Sequence, residues 1–207
     1  MAGKTARNLL LLTSLAVLPA SFTPGQEPVP QGDSFLVQLS AVDELAAALS
    51  FDTGGHGATV QDGQLILDNA HMVYNLFAEH KLTLGFVRKQ LVRVVELDDL
   101  KVEGFARPED FAPRLPLSFF HTLTIEGKQV VYRGPMNRTY RLKEAEKIFQ
   151  TLPPEGLVHI DPQIGRTYLV RFAPRDAQNS QDAFVKFRVV DIEPGRFITL
   201  RFARITP

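Results

Sequence analysis

The sequence predicts a mainly β protein, an antiparallel sandwich or partly open barrel carrying two short α-helices. Three observations carry that expectation. Beyond residue 34 most apolar residues alternate with polar ones at a period of two, which lays them on one face of a strand. Short runs of this kind are separated by turn-forming pairs such as Asp62-Gly63, Asp68-Asn69 and Asp161-Pro162. Only residues 41–50 and 142–152 read as helical, so the strands must bury their apolar sides against one another.

Residues 1–20 read as an export signal. Lys4 and Arg7 give a positive start, residues 9–18 are apolar except for Thr13 and Ser14, and Pro19-Ala20 close the run. That run is well short of the roughly 20 apolar residues of a spanning helix, and no later uncharged segment approaches that length, so no membrane span is expected. Cleavage is expected between Ala20 and Thr23. A proline-rich linker, residues 21–33, follows, because Pro24, Pro28 and Pro30 interrupt both helix and ladder.

The folded part is expected over residues 34–207 as one mostly β domain, with a possible subdomain boundary near 106–117 where Pro108, Pro113 and Pro116 break the pattern. Its first strand is 35–39. Ser40 and Asp43 have the spacing of a capping box, and the Leu- and Ala-rich residues after them predict a helix that stops at Gly54-Gly55. Strands are expected over 64–67, 71–77, 82–87, 91–97 and 100–102. A hairpin follows, with residues 119–125 and 129–133 joined at Glu126-Gly127-Lys128. Leu142, Ala145, Ile148, Phe149 and Leu152 recur at helical spacing and stop before Pro153-Pro154. The last strands are expected at 157–160, 167–172, 183–191 and 196–205, as an antiparallel meander.

Composition narrows the function classes. There is no cysteine, which excludes disulfides, thiol catalysis and thiolate metal ligands. Loss of Lys4 and Arg7 with the signal takes 23 basic residues to 21 against 23 acids, a balance too even to draw a polyanion, nucleic acid included, or a membrane by bulk charge, so any such partner must be met by a local patch.

Phe51-Asp52-Thr53-Gly54 is the sharpest chemical motif, since Asp-Thr-Gly after an apolar residue resembles the active-site triplet of retroviral-type aspartic peptidases. The resemblance implies a homodimer, because that chemistry needs two facing aspartates sharing a proton and this chain has one such triplet. The ordinary reading is a helix-stop turn with Gly54 or Gly55 in the left-handed region. His56, between two glycines, together with His71 and His80 is a candidate histidine metal site, although the spacings match no compact ligand pattern. Asp98-Asp99 and Glu109-Asp110 read as turn acids, and Asn137-Arg138-Thr139 as a glycosylation acceptor in an exposed loop.

The most informative constellation is C-terminal. Val185, Phe187 and Val189 share one strand face, with Lys186 and Arg188 on the other. Arg171 and Arg201 fall on that cationic side if the three strands are neighbours. Arg171, Lys186, Arg188 and Arg201 are therefore the expected binding residues, for an anionic polysaccharide or another exported protein. The expected function is that of an exported, non-catalytic binding or structural protein of the envelope or extracellular space, with no cofactor. The alternative is a homodimeric hydrolase using Asp52.

Overall fold

A computed structural model describes residues 34–87, 90–97, 117–134, 138–150, 152–153, 155–175 and 181–207. The export signal, the linker, the strand at 100–102, Pro108, Pro113 and Pro116, both acid pairs and Asn137 lie outside the described residues.

The strands are β1 (Phe35–Ser40), β2 (Ala48–Leu49), β3 (Thr59–Gln61), β4 (Gln64–Ile66), β5 (Met72–Tyr74), β6 (Leu82–Leu84) and β7 (Gln90–Glu96). After the α-helix α1 (Leu117–Thr122) come β8 (Thr124–Glu126), β9 (Gln129–Arg133) and β10 (Thr139–Arg141), then a 3-10 helix (Ala145–Phe149). The chain ends with β11 (Val158–Ile160), β12 (Thr167–Pro174), β13 (Ala183–Glu193) and β14 (Phe197–Ile205).

A central five-stranded sheet, in the order β1-β14-β13-β12-β7, is antiparallel throughout. The meander expected from the last strands is its heart. Period-two alternation splits its residues between two cores. Val37, Val170, Phe172, Val185, Phe187, Leu200 and Phe202 face a four-stranded sheet, β11-β6-β5-β2, and pack with Leu49, Phe51, Met72, Tyr74, Leu82 and Leu84. From the opposite face Leu169, Phe184 and Ile205 pack with Phe119, Leu123, Ile125, Val130, Leu142 and Ile148 of the three-stranded sheet β10-β9-β8 and the two helices. The architecture is therefore sandwich-like with a layer on each side of the central sheet, and it does not close into a barrel. The β3-β4 hairpin adds Leu65 to a small outer cluster with Ala48, Ala58, Ala70 and Val73. There Gly57 sits so close to its neighbour that a Cβ would stand 2.6 Å from Ala70 Cα.

Both helix expectations need correction. Residues 41–47 form turns, and Ala48–Leu49 is a strand. Ser40 Oγ accepts from the Val42 and Asp43 amides, while Asp43 Oδ1 accepts from those of Leu45 and Ala46. The box is thus not reciprocal: each side chain folds its own following turn, and such local bonds compete with helix. The requirement that β2 cross to pair with β5 then decides against continuing the turn. Among the described residues of 142–152 only Ala145–Phe149 is helical, and it is 3-10. Arg141 clamps its start with two 2.6 Å bonds to Glu146, whose carboxyl is held below the usual range chiefly by this hydrogen bonding.

The expected strand 119–125 is also corrected: residues 117–122 are helical and only Thr124–Glu126 pairs with β9. Phe119 and Phe120 are both fully buried, which two consecutive residues of a half-exposed strand cannot be, whereas 119, 120 and 123 share a helix face. The expected hairpin turn itself is present, with Gly127 at φ 63 between Glu126 and its partner Gln129.

Candidate functional site

Strand register brings the four predicted cations onto one face of the central sheet. Arg171 lies opposite Phe184, Lys186 stands between Leu169 and Ala203, and Arg188 is flanked by Thr167 and Arg201. Arg93, on the neighbouring β7, stands opposite Arg171 and extends the row; it was hidden from the sequence because nothing local pairs β7 with β12.

That face is not all open to water, which corrects the expectation for two of the four. Arg171 is 9% exposed and Lys186 6%, because the second core covers them. Arg171 donates Nε to Asp182 at 2.9 Å and NH1 to the Ile148 carbonyl at 2.9 Å, within the last turn of the 3-10 helix. Lys186 Nζ donates to the Leu123 carbonyl at 2.8 Å and the His121 carbonyl at 3.3 Å, at the end of α1, and lies 5.1 Å from the Phe120 ring centroid. Burial pushes the Lys186 ammonium down to about 8, so it stays charged at neutral pH. Each buried cation therefore caps the negative end of a helix lying on the sheet. Alternation in the sequence reveals the row of cations, but not the layer that covers half of it.

Arg188 and Arg201 lie beyond this layer. Directly opposite each other on β13 and β14, both are partly exposed. Arg188 donates to Thr167 Oγ1 at 3.4 Å and Arg201 to Ser34 Oγ at 3.2 Å. Next in the row is Leu36 of β1, 57% exposed and opposite Arg201, while Gln38 and Thr199 follow along the same face.

Asp52 occupies a turn at the end of β2. Its carboxylate is 59% exposed and holds Arg204 of β14 at 3.1 Å and the His71 ring at 3.6 Å. Gly54, at φ 71, closes the turn by donating its amide to the Ser50 carbonyl. The left-handed glycine of the ordinary reading is present, but a strand and not a helix precedes it. The arrangement ties the four-stranded sheet to the central one.

The histidines have separate surroundings. His71 is buried against Phe51 and Phe172, and its Nδ1 has no hydrogen-bond partner among the described residues. Burial holds this imidazole below its ordinary value of 6.5, in spite of the attraction of Asp52. His56 bridges to Leu49, with Nδ1 3.1 Å from the Leu45 carbonyl. His80 sits in a left-handed turn position, its Nε2 3.4 Å from Glu79. Among the described residues no group of three or more His, Asp or Glu side chains is placed to hold a metal ion.

No protein-family model matches this chain, and neither a curated protein nor a solved structure is similar to it. Geometry alone bears on its function.

Proposed function

We propose that this is an exported, non-catalytic binding protein that holds an anionic polymer on the open half of the cationic sheet face. The observation that carries the reading is the register of Arg188 and Arg201, two partly exposed guanidiniums held directly opposite each other with exposed Leu36 beside them. Two guanidiniums held side by side concentrate positive charge at one point of the surface, which favours an anionic group there. Guanidinium is suited to the task, because its planar fork grips sulfate, carboxylate or phosphate with two bonds. A strand pair presents such groups along a line, as a linear polyanion requires. No specific observation favours the peptidase alternative, since Asp52 is engaged by Arg204 and His71.

Retention on an immobilised sulfated polysaccharide tests the site. Wild-type protein is expected to elute at a salt concentration that falls sharply in Arg188→Glu plus Arg201→Glu, with the fold retained by far-ultraviolet dichroism. Equal elution of the two proteins would refute it. Export is checked by the mass of the protein recovered outside the cytoplasm, which should start between residues 20 and 23; a full-length cytoplasmic product counts against it.

A further inference from the structure

We propose that two copies of this chain pair edge to edge through β1, making one continuous ten-stranded sheet about a two-fold axis at Val37. Among the described residues β1 is an edge strand of the central sheet, with β14 as its one strand partner. Which of its backbone groups point outward follows from two hydrogen bonds. The Ala41 amide donates to the Arg196 carbonyl on the β14 side, whereas the Ser40 amide donates the other way, to Ala46. Antiparallel strands alternate in this respect, so Phe35, Val37 and Leu39 bond β14, while Leu36 and Gln38 direct both amide and carbonyl outward. Among the described residues Ala46 closes the edge at Ser40, which leaves four outward groups on Leu36 and Gln38 and requires a pairing strand to turn aside before the position opposite Ser40.

A second β1 running antiparallel, with its Val37 opposite the first, satisfies all four. Leu36 of each copy then exchanges two bonds with Gln38 of the other. Register shifts of one residue are excluded, because they would turn the buried Val37 and Leu39 side toward the wrong layer.

The side chains fit the same axis. On the cationic face, Leu36 of one copy falls opposite Gln38 of the other. Gln38 there borders an open depression of about 320 Å³, lined also by Ser40, Val42, Ala46, Arg196 and Phe197. Leu36, 57% exposed, is thereby covered, and Val42, 81% exposed, stands on the rim of the same depression. The strand's own residues carry none of the features that blunt an edge: Phe35–Ser40 has no charge, proline or bulge, and six consecutive residues hold regular register with β14. A strand offered in this way is a template for its own kind.

The dimer deepens the proposed function. Arg188 and Arg201 of the two copies would share one face, with the two Arg201 strands three strand spacings, about 14 Å, apart. Four guanidiniums on one rigid surface hold a long polyanion more tightly than two.

Sedimentation of the purified protein without polymer tests the pairing apart from polymer binding. Wild-type protein is expected to reach twice the monomer mass in the micromolar range. Gln38→Pro removes an outward amide that β14 does not use, and Leu36→Lys puts a charge at an exposed edge position. Both are expected to be monomeric with near wild-type thermal midpoints. If Gln38→Pro fails to fold, Leu36→Lys alone decides. A wild-type monomer throughout that range, or a dimer that persists in the folded edge variants, overturns the proposal. Polymer retention lost in Arg188→Glu plus Arg201→Glu while the dimer persists would leave both proposals standing.

Discussion

At the scale of single residues, the two buried cations of the central sheet have defined partners, and breaking one partnership has a calculable sign. Arg171→Met leaves Asp182 and the Ile148 carbonyl without their buried donor, and is expected to cost about 1–3 kcal/mol in urea unfolding, the range for leaving a buried acceptor unsatisfied. Asp52→Asn, by contrast, touches a carboxylate 59% exposed and should cost less than about 1 kcal/mol. His71 sets a pH dependence. Its folded pKa lies below 6.5 through burial, so the unfolded chain takes up the proton first as pH falls. Stability from this residue is full above 6.5 and declines as pH drops toward the folded pKa. Thermal midpoints of wild type should therefore fall more between neutral and mildly acidic pH than those of His71→Leu; parallel curves would contradict this. Lys186, pushed down to about 8, behaves likewise at the alkaline end: stability rises between about 8 and 10.5, and Lys186→Met should flatten that rise. These partners could not be read from the chain. Asp182 is eleven residues from Arg171, and Lys186 finds carbonyls more than sixty residues away.

At the scale of elements, local pattern is reliable where one face of a strand is buried and the other is not. β7, β12, β13 and β14 all fall where alternation places them, because cross-strand neighbours reinforce the period. It fails where tertiary demands compete. The Leu- and Ala-rich stretch after Ser40 favours helix on propensity, yet Ala47, Ala48 and Leu49 are all nearly inaccessible and pack as a crossing segment. Phe119-Phe120 shows the converse, because β propensity suggests a strand while the burial of both demands a helix face against β13 and β9. Gly57 shows how closely these layers approach. Gly57→Ala brings a methyl to 2.6 Å from the Ala70 backbone, and overpacking of this kind is expected to cost about 1–3 kcal/mol in chemical denaturation.

At the scale of the whole molecule, the cationic face of the central sheet has a half covered by the second core and a half whose cations are partly exposed, and function is proposed for the second. The division predicts a contrast: Arg171→Glu and Lys186→Glu should abolish folding, whereas Arg188→Glu and Arg201→Glu should fold and lose polymer retention, as far-ultraviolet dichroism and salt elution would report together. The sequence by itself determined the mainly β class, the antiparallel C-terminal strands, the cysteine-free core and the alignment of four cations, because these follow from composition and from a period that each strand carries within itself. Only the tertiary structure decided which of those cations meet water, that Asp52 bonds Arg204 and His71, and that β1 is an edge. Each depends on which distant segment lies alongside, and strand order is set by the packing of layers that no local stretch encodes.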